Sequence, residues 1–396
     1  MGNWKTCTIG DLGRVVGGAT PSTKKAENYD GGTIAWITPK DLAGFSGRFI
    51  SRGERNITEQ GLKSCSTQLM PAHTVLFSSR APIGYIAIAE QEVCTNQGFK
   101  SVVPDEKTDY MFLYYLLKYN KEKIENLGSG TTFKEVSGST MRGIEVRVPE
   151  TIEEQQRIAS VLSALDDKIE KNTEVNENLE QQAQAYFQEL FIDNADPAWT
   201  LGTVSDLGAV VGGSTPSKAK PEYYTEDGIA WITPKDLSIN KAKFVSHGEN
   251  DITKLGLKNS SASIMPEGTV LFSSRAPIGY IAIASGEVTT NQGFKSVVPK
   301  PEIGTAYVYC FLKHNLPVIE GRASGSTFKE VSGSTMKNVP AVIPDTETLA
   351  CFNGFCDPIF AQQRILEEQN QSLTALRDSL LPKLMSGEID VSDIQL

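Results

Sequence analysis

The chain has 396 residues, 39% hydrophobic and 22% charged, a composition ordinary for a folded protein of about two to three domains. It contains no apolar run of the roughly 18 residues that a membrane-spanning helix needs, and its first residues lack the apolar segment of a signal peptide. We therefore expect a cytoplasmic protein without a membrane anchor, and a net charge of −10 argues at first sight against nucleic acid.

The acidic charge, however, is concentrated in two segments of the chain. Residues 150–196 carry a net charge of −9 and residues 345–396 carry −6, whereas residues 1–149 carry +3 and residues 197–344 carry +2. The two mildly basic segments can therefore contact a polyanion, although their charge alone is weak support for one.

The first 150 residues predict a mostly β domain. Short apolar, β-branched and aromatic runs predict strands at residues 36–38, 74–77, 83–88 and 145–149. The Thr-Pro-Lys-Asp sequence at 38–41 predicts a helix start capped by Thr38, and residues 78–82 (Ser-Ser-Arg-Ala-Pro) predict a loop. Residues 109–126 are expected to form one helix, followed by a flexible glycine-rich turn at 128–130.

Residues 151–193 predict a long helix with a narrow apolar seam. The seam residues, spaced three and four apart, are Ile158, Leu162, Leu165, Ile169, Leu179, Ala183, Tyr186 and Leu190, with Asn172 and Asn176 in the gaps. This period is typical of a coiled coil, and the helix would extend about 50 Å at 1.5 Å per residue. A rod of this length between two similar segments predicts a spacer.

The sequence repeats itself in tandem. When it is shifted by 195 residues without a gap, 80 of the 138 positions between Leu12 and Pro149 are identical to their partners, and Phe133 falls on Phe328. A repeat of this length is a duplicated domain and not a solenoid unit.

A second seamed helix follows the second repeat. Its apolar side carries Phe355, Ile359, Leu366, Leu373, Leu376, Leu380 and Leu384. Two long seamed helices in one chain should pair, and an antiparallel pair would place the repeats at opposite ends, about a pseudo-two-fold axis. Asn176 and Asn370, at equivalent positions, would then fix the register within the seam or, alternatively, lie at its edge in water.

The predicted fold class is α+β. Two mostly β domains are separated by two long antiparallel coiled-coil helices, in a tandem repeat with pseudo-two-fold symmetry. The expected boundaries are 1–150 for the first domain, 151–196 for the central helix, 197–345 for the second domain and 346–396 for the C-terminal helix and tail.

The duplication also tests for catalysis, because chemistry shared by both domains should use residues present in both. None of the histidines or cysteines in the two domains has an identical partner in the other copy. This argues against a shared metal site or a Cys/His nucleophile. The glycine-rich segment 128–134 fits neither a dinucleotide-binding nor a P-loop pattern, so no catalytic residue, metal ligand or cofactor is predicted.

Both domains instead share polar and cationic side chains on predicted loops. The set consists of Thr20, Ser22, Lys40, Lys63, Arg80, Asn96, Gln97, Lys100 and Lys134, with their partners Thr215, Ser217, Lys235, Lys258, Arg275, Asn291, Gln292, Lys295 and Lys329. Arginine, asparagine and glutamine are the side chains that read base edges in DNA, and lysine, serine and threonine suit phosphates. The alternative is that these residues close turns and pair with nearby acids.

Five shared motifs carry a resemblance to a known family. They are Gly-Gly-x-Thr-Pro-Ser (17–22, 212–217), Trp-Ile-Thr-Pro-Lys-Asp-Leu (36–42, 231–237), Leu-Phe-Ser-Ser-Arg-Ala-Pro-Ile-Gly (76–84, 271–279), Asn-Gln-Gly-Phe-Lys (96–100, 291–295) and Gly-x-Thr-Phe-Lys-Glu-Val-Ser (130–137, 325–332). With the Glu153–Ile158 helix opening and the Leu380–Ile389 tail, the chain resembles the specificity subunit of type I restriction-modification systems. It departs from that family at residues 348–356, where the Glu-Glu-Gln-Gln-Arg-Ile opening is missing.

The resemblance implies two target-recognition domains that bind double-stranded DNA at a bipartite site. It also implies assembly with two methyltransferase subunits, which carry S-adenosylmethionine, and with a restriction subunit that uses ATP and magnesium. Because the domains are nearly identical, we predict half-sites of the same or similar sequence in inverted orientation, with centres about 15 base pairs apart. The acidic helices are expected to dock the methyltransferase subunits.

Two rival functions remain open to test. One is a protein-binding scaffold that holds two copies of one partner and no DNA, and a salt titration separates it from a DNA reader. The other is a stand-alone enzyme, which the missing duplicated acid–base or metal set disfavours.

Overall fold

The computed structural model describes residues 3–80, 82–130, 134–325, 329–392 and 394. These residues fall into two compact units, one formed by 1–170 with 371–396 and the other by 171–370. Each unit contains one sequence repeat and part of each long helix. Three parts of the predicted loop and motifs lie outside the described residues, namely Ala81, residues 131–133 and residues 326–328.

A five-stranded sheet lies in the first unit, within the described residues. In spatial order its strands are Gly13–Gly17, Lys100–Pro104, Val75–Ser79, Ile83–Ala89 and Phe49–Ile50. Val75 and Phe77 pack in one core cluster with the helix Tyr110–Tyr119, and Leu76 packs with Phe99 in another. Both faces of the middle strand are therefore buried, which explains its run of three apolar residues at 75–77.

Smaller sheets and short helices complete the first unit. A three-stranded sheet contains Asn56–Ile57, Ile34–Ile37 and Val93–Thr95, and a two-stranded sheet pairs Trp4–Thr8 with Glu145–Pro149. The helices are Glu59–Lys63, Tyr110–Tyr119, Lys121–Asn126 and Gly138–Arg142, with 3-10 turns at Ile9–Asp11 and Ala26–Asn28. The two-stranded sheet thus joins the two ends of the domain just before the central helix begins.

The second unit repeats this architecture. Its five-stranded sheet contains Gly208–Gly212, Lys295–Pro299, Val270–Ser274, Ile278–Ala284 and Phe244–Val245. Its other strands are Tyr224–Thr225, Asn250–Ile252, Ile229–Ile232 and Thr289–Thr290 in one sheet and Thr200–Thr203 with Pro340–Ile343 in another. Its helices are Val204–Leu207, Pro234–Ile239, Lys254–Lys258, Thr305–His314, Leu316–Gly321 and Gly333–Lys337, with a 3-10 turn at Pro221–Tyr223. The predicted sequence duplication is therefore a duplication of fold.

Two long helices complete both units. The central helix is Ile152–Gln188 and ends in a π-helical turn at Glu189–Asp193, close to the predicted range. The C-terminal helix is Thr346–Ser386, so the missing sequence motif near its start does not prevent the helix from forming there. Among the described residues, no helix combines the length and the apolar character that crossing a bilayer requires.

In the second unit the seam between these helices is antiparallel and contains amides. Asn172 donates to the side-chain oxygen of Asn370 at 2.9 Å, whereas Asn176 and Gln363 donate to each other's backbone carbonyl oxygens at 3.4 and 3.0 Å. Positions that rise along one helix fall along the other, which defines the antiparallel pairing. Asn176 and Asn370 thus both lie in the seam, but they bond to other residues and not to each other.

The predicted helix start at Thr38 forms only in the second repeat, as Pro234–Ile239. In the first repeat, Asp41, Leu42 and Ala43 each donate to the residue three positions earlier, which makes successive turns and no α-helix. Gly44, with φ of +81°, stands where the second repeat has Ile239, and glycine opposes propagation of a helix.

The predicted helix over 109–126 is divided into two helices at Asn120. The side chain of Asn120 donates to the carbonyl oxygen of Leu116 at 2.8 Å, and its ψ of 6° leaves the helical region. An asparagine amide that competes for a backbone carbonyl in this way favours the end of a helix.

A buried arginine attaches the sheet of the first unit to the central helix. Arg48 has a side chain only 5% exposed and donates to Glu170 at 2.9 Å and to Asp167. Its backbone N–H also donates to Glu170, at 3.2 Å. We call Arg48 and its counterpart Lys243 the anchor cations, because each holds the edge strand of its domain against a helix.

In the second unit the anchor cation is Lys243, 7% exposed, which donates to Glu180 at 2.8 Å and to Gln363 at 2.7 Å. Its ammonium also lies 3.1 Å from the centroid of the Phe360 ring. Burial alone would raise the pKa of Glu180, but the ammoniums of Lys243 and Lys313 lower it to about 2. Burial lowers the pKa of Lys243, and Glu180 opposes that shift.

Candidate nucleic-acid interface

A cleft of about 650 Å³ opens on the second unit. Its walls include five of the nine polar residues predicted in this repeat, namely Thr215, Lys235, Arg275, Asn291 and Gln292. Thr215 and Gln292 are 77 positions apart in the sequence, so the fold brings separate predicted loops to one place. We refer to this site as the second cleft.

Two aromatic rings form the apolar side of the second cleft. Tyr224 meets Trp231 edge to face, with 5.7 Å between ring centroids. The indole N–H of Trp231 donates to the carbonyl oxygen of Ser214 at 3.0 Å, and the hydroxyl of Tyr224 donates to that of Pro216 at 2.6 Å. These bonds hold the Gly-Gly-x-Thr-Pro-Ser segment against the rings.

The loop that carries Asn291 and Gln292 is fixed by side-chain hydrogen bonds. The amide oxygen of Asn291 accepts from the backbone N–H of Gly293 at 2.8 Å, and the oxygen of Gln292 accepts from the hydroxyl of Thr215. A Cβ at Gly213 would overlap the carbonyl oxygen of Asn291, so the glycine permits this close approach. Among the described residues, neither amide NH₂ group has a hydrogen-bond acceptor, so both can donate to a ligand.

The cations of the second cleft are only partly neutralised. Lys235 donates to Glu249 at 2.6 Å, and that hydrogen bond raises the pKa of the ammonium. Glu330 lies 3.7 Å from Arg275 and 3.4 Å from Lys295, so a single carboxylate faces two cations. Since the lining carries Lys218, Lys235 and Arg275 against the single carboxylate of Glu249, an excess of positive charge remains in the second cleft.

The first repeat reproduces these contacts among the residues that correspond in sequence to the lining of the second cleft, and we call this matching set of residues the first cleft. Lys40 lies 2.6 Å from Glu54, and Glu135 lies 3.8 Å from Arg80 and 3.2 Å from Lys100. The remaining contacts follow the same pattern: Thr20 donates to Gln97, and Asn96 accepts from Gly98 at 2.8 Å. The two repeats therefore agree even in the distances between exposed side chains, which packing of a hydrophobic core does not determine.

Other predicted residues lie away from the lining of the second cleft, and some are not on loops. Lys63 and Lys258 are the exposed last residues of short helices, whereas Lys100 and Lys295 begin strands and are only 15% and 16% exposed. The exposed remainder consists of Ser22, Lys134, Ser217 and Lys329. The prediction that all of them stand on loops was therefore wrong for the four lysines on helices and strands.

Nine of the residues that line the second cleft were not predicted from the sequence, among them Lys218, Tyr224, Glu249 and Asn250. Tyr224 and Glu249 are identical in the first repeat, but an aromatic ring and an acid were outside the residue types considered. Lys218 and Asn250 differ from their counterparts Thr23 and Arg55, so a search for shared residues excluded them.

Comparison with known proteins places the chain in one family. The model of the type I restriction modification DNA specificity domain matches residues 1–181 and 198–375. The specificity subunit of the type I restriction enzyme MjaIX of Methanocaldococcus jannaschii is 33% identical over 430 residues, covering 99% of this chain and 95% of that protein. The HindI specificity subunit of Haemophilus influenzae is 25% identical over 359 residues, covering 70% and 77%.

The fold agrees with a solved structure. The type I restriction-modification system S subunit from M. genitalium superposes with a TM-score of 0.61 at 19% identity, covering 97% of this chain and 96% of that chain. At this identity the likeness concerns the fold alone.

Proposed function

Because the chain belongs to the family of type I restriction-modification specificity subunits, we propose that its two repeats read the two halves of a bipartite sequence in double-stranded DNA. Members of this family recognise DNA without catalysing a reaction, and they work within a complex. The cytoplasmic location expected from the sequence stays part of the proposal.

The observation that carries the proposal is the duplication of one polar cleft. Of the 14 residues that line the second cleft, 12 are identical in the first repeat. They include arginine, asparagine and glutamine, whose donors and acceptors match base edges, beside lysines that suit phosphates. Two copies of one cleft predict two half-sites of similar sequence.

The contacts within the cleft suggest a division of labour. Arg275 is 37% exposed and lies 3.7 Å from Glu330, a loose pairing that a base edge can replace with two parallel hydrogen bonds. The side chain of Lys235 is 62% exposed, so its ammonium is better placed to reach phosphates, which attract a point charge. Asn291 and Gln292 contribute NH₂ donors from a loop that is already fixed.

We propose that the two long helices set the distance between the halves of the bipartite site. The central helix contains 37 residues, about 55 Å at 1.5 Å per residue, a length that exceeds one turn of B-DNA. The inverted orientation of the half-sites and a centre-to-centre separation of about 15 base pairs stay predictions from the sequence. We propose that the acidic helices dock two methyltransferase subunits with S-adenosylmethionine and that a restriction subunit supplies ATP-dependent cleavage, so this chain needs no cofactor.

A salt titration of duplex binding tests the proposal. With several phosphates neutralised by each repeat, the affinity should fall about 10³-fold or more between 50 and 200 mM salt. Selection from a random-sequence duplex pool should then recover one motif with two similar halves. Salt-independent retention of a protein partner, without any DNA binding, would favour the scaffold function instead.

A further inference from the structure

The first and second clefts differ at two of their lining positions. Thr23 stands in place of Lys218, and Arg55 stands in place of Asn250. Each cleft therefore has one cation that the other lacks, and the two cations stand at different positions. Because the other lining positions are identical, a difference in DNA recognition between the two clefts can be assigned to these two positions.

The guanidinium of Arg55 lies over an aromatic ring. Its guanidinium carbon lies 4.1 Å from the ring centroid of Tyr29, which meets Trp36 edge to face at 6.0 Å. Among the residues that the structure describes, no carboxylate is paired with this guanidinium, whereas Lys40 is paired with Glu54 at 2.6 Å. A guanidinium that packs over a ring loses part of its freedom to move, and its N–H edge can still donate two parallel hydrogen bonds.

In the second repeat, Asn250 stands at the position of Arg55, beside the equivalent pair of aromatic rings. It stands opposite Trp231 in the pairing of Asn250–Ile252 with Ile229–Ile232, and Trp231 meets Tyr224 edge to face at 5.7 Å. Within the described part of the chain, the amide of Asn250 has no hydrogen-bond partner. Asn250 lines the second cleft, and Arg55 stands at the matching position of the first repeat. Both side chains carry a planar hydrogen-bonding group without a hydrogen-bond partner among the described residues.

We infer that this position determines one base in each half-site: Arg55 takes a guanine in the first half-site, and Asn250 takes an adenine in the second. Arginine donates two hydrogen bonds to O6 and N7 of guanine, whereas asparagine donates to N7 and accepts from N6 of adenine. The inference rests on the proposed function and sharpens it, since the near-palindrome is then broken at one defined position.

The experiment exchanges the residues between the repeats. The full chain, purified with the subunits that accompany it, selects duplexes from a random-sequence pool as wild type, Arg55→Asn and Asn250→Arg. Wild type should show guanine in one half and adenine at the matching position of the other. Arg55→Asn should give adenine in both halves and Asn250→Arg should give guanine in both, each with about 5- to 150-fold discrimination.

Both variants are expected to fold, because each substitution introduces the residue that the other repeat already has beside the equivalent pair of aromatic rings. A thermal melt checks that each variant retains its structure. Lys218→Thr makes the matched exchange at the second differing position. It should weaken binding to all sequences equally and leave the motif unchanged, as expected for loss of a phosphate contact.

The outcomes separate the inference from the proposed function. An unchanged motif with Arg55→Asn, or an equal loss of affinity for every sequence, overturns the inference and leaves the proposed function standing. A wild-type protein that selects no motif overturns the proposed function, and the inference with it.

Discussion

The two repeats of this chain differ where each domain packs against a helix and agree where each opens to solvent. Arg48 pairs with two carboxylates, whereas Lys243 pairs with Glu180 and Gln363 and lies over a ring. In the clefts, by contrast, the lysine–glutamate distance is 2.6 Å in both repeats, and the arginine–glutamate distances are 3.8 and 3.7 Å.

This contrast indicates which residues serve packing and which serve recognition. Exposed positions tolerate substitution more readily than buried ones. Packing therefore does not explain why the exposed cleft residues are alike in the two repeats while the buried anchor cations differ. A buried anchor cation can be stabilised by many different sets of neighbouring carboxylates, amides and rings. A half-site of one sequence, in our account, requires one particular arrangement.

The largest expected effect is on DNA binding by Arg80→Ala combined with Arg275→Ala. Each substitution should remove one bidentate base contact, so each should cost about 1–3 kcal/mol and the pair about 2–6 kcal/mol. Because the clefts match, the two single variants should lose equal affinity for the target duplex. Titration of labelled duplex measures the loss.

The control for this pair is Arg322→Ala, which removes an exposed arginine of the second repeat that does not line the cleft. Unchanged affinity in the folded double variant would make Arg80 and Arg275 structural residues. Unequal losses in the single variants would show that the clefts act differently despite their geometry.

The next largest effect is on stability, through Glu180→Gln in the anchor of the second unit. Glu180 is 21% exposed and lies 2.8 Å from Lys243 and 2.6 Å from Lys313, so the variant should lose about 3 kcal/mol of unfolding free energy at pH 7. Because the folded pKa is lowered, this stabilisation is complete above the unfolded pKa of about 4.3 and disappears as the pH falls towards 2.

Denaturant unfolding at pH 7 and pH 3 measures the difference, which should be smaller at pH 3. The matched control is Glu177→Gln, an exposed residue of the same helix, which should leave stability unchanged. A difference of equal size at both pH values would show that Glu180 contributes through packing and not through its charge.

A smaller effect is expected from Arg48→Lys, which gives the first repeat the anchor cation of the second. The guanidinium donates to Glu170 and Asp167 together, and an ammonium cannot reproduce that fork, so the loss should be about 2 kcal/mol. Thermal unfolding measures it, with the exposed Arg52→Lys as control. A neutral outcome would make the two anchors interchangeable.

Periodicity and duplication were enough to predict the main features of the fold. The seam spacing predicted the central helix to within a few residues, because a coiled-coil pattern over many turns has no competing interpretation. Predictions of individual helix boundaries were wrong where a single residue determines whether the helix continues. Gly44 opposes propagation of the helix expected at Thr38, and the side chain of Asn120 competes for a backbone carbonyl where the predicted helix 109–126 divides.

The search of the sequence for cleft residues considered only positions that are identical in the two repeats. It found residues that the two clefts share and missed those that differ between them. Asn96 and Asn291 were predicted as base readers, yet their amide oxygens accept from the backbone of their own loops, which leaves only the NH₂ groups. Arg55 and Asn250 were excluded because they differ. A residue that distinguishes two half-sites must differ between the repeats, so no search for shared residues could find it.

Genome-wide mapping of N6-methyladenine in cells with and without this chain tests the central claim most directly. We expect that loss of this chain abolishes methylation at one bipartite motif whose halves are nearly the same sequence in inverted orientation. An unchanged methylation map, or a lost motif with two unrelated halves, would contradict it.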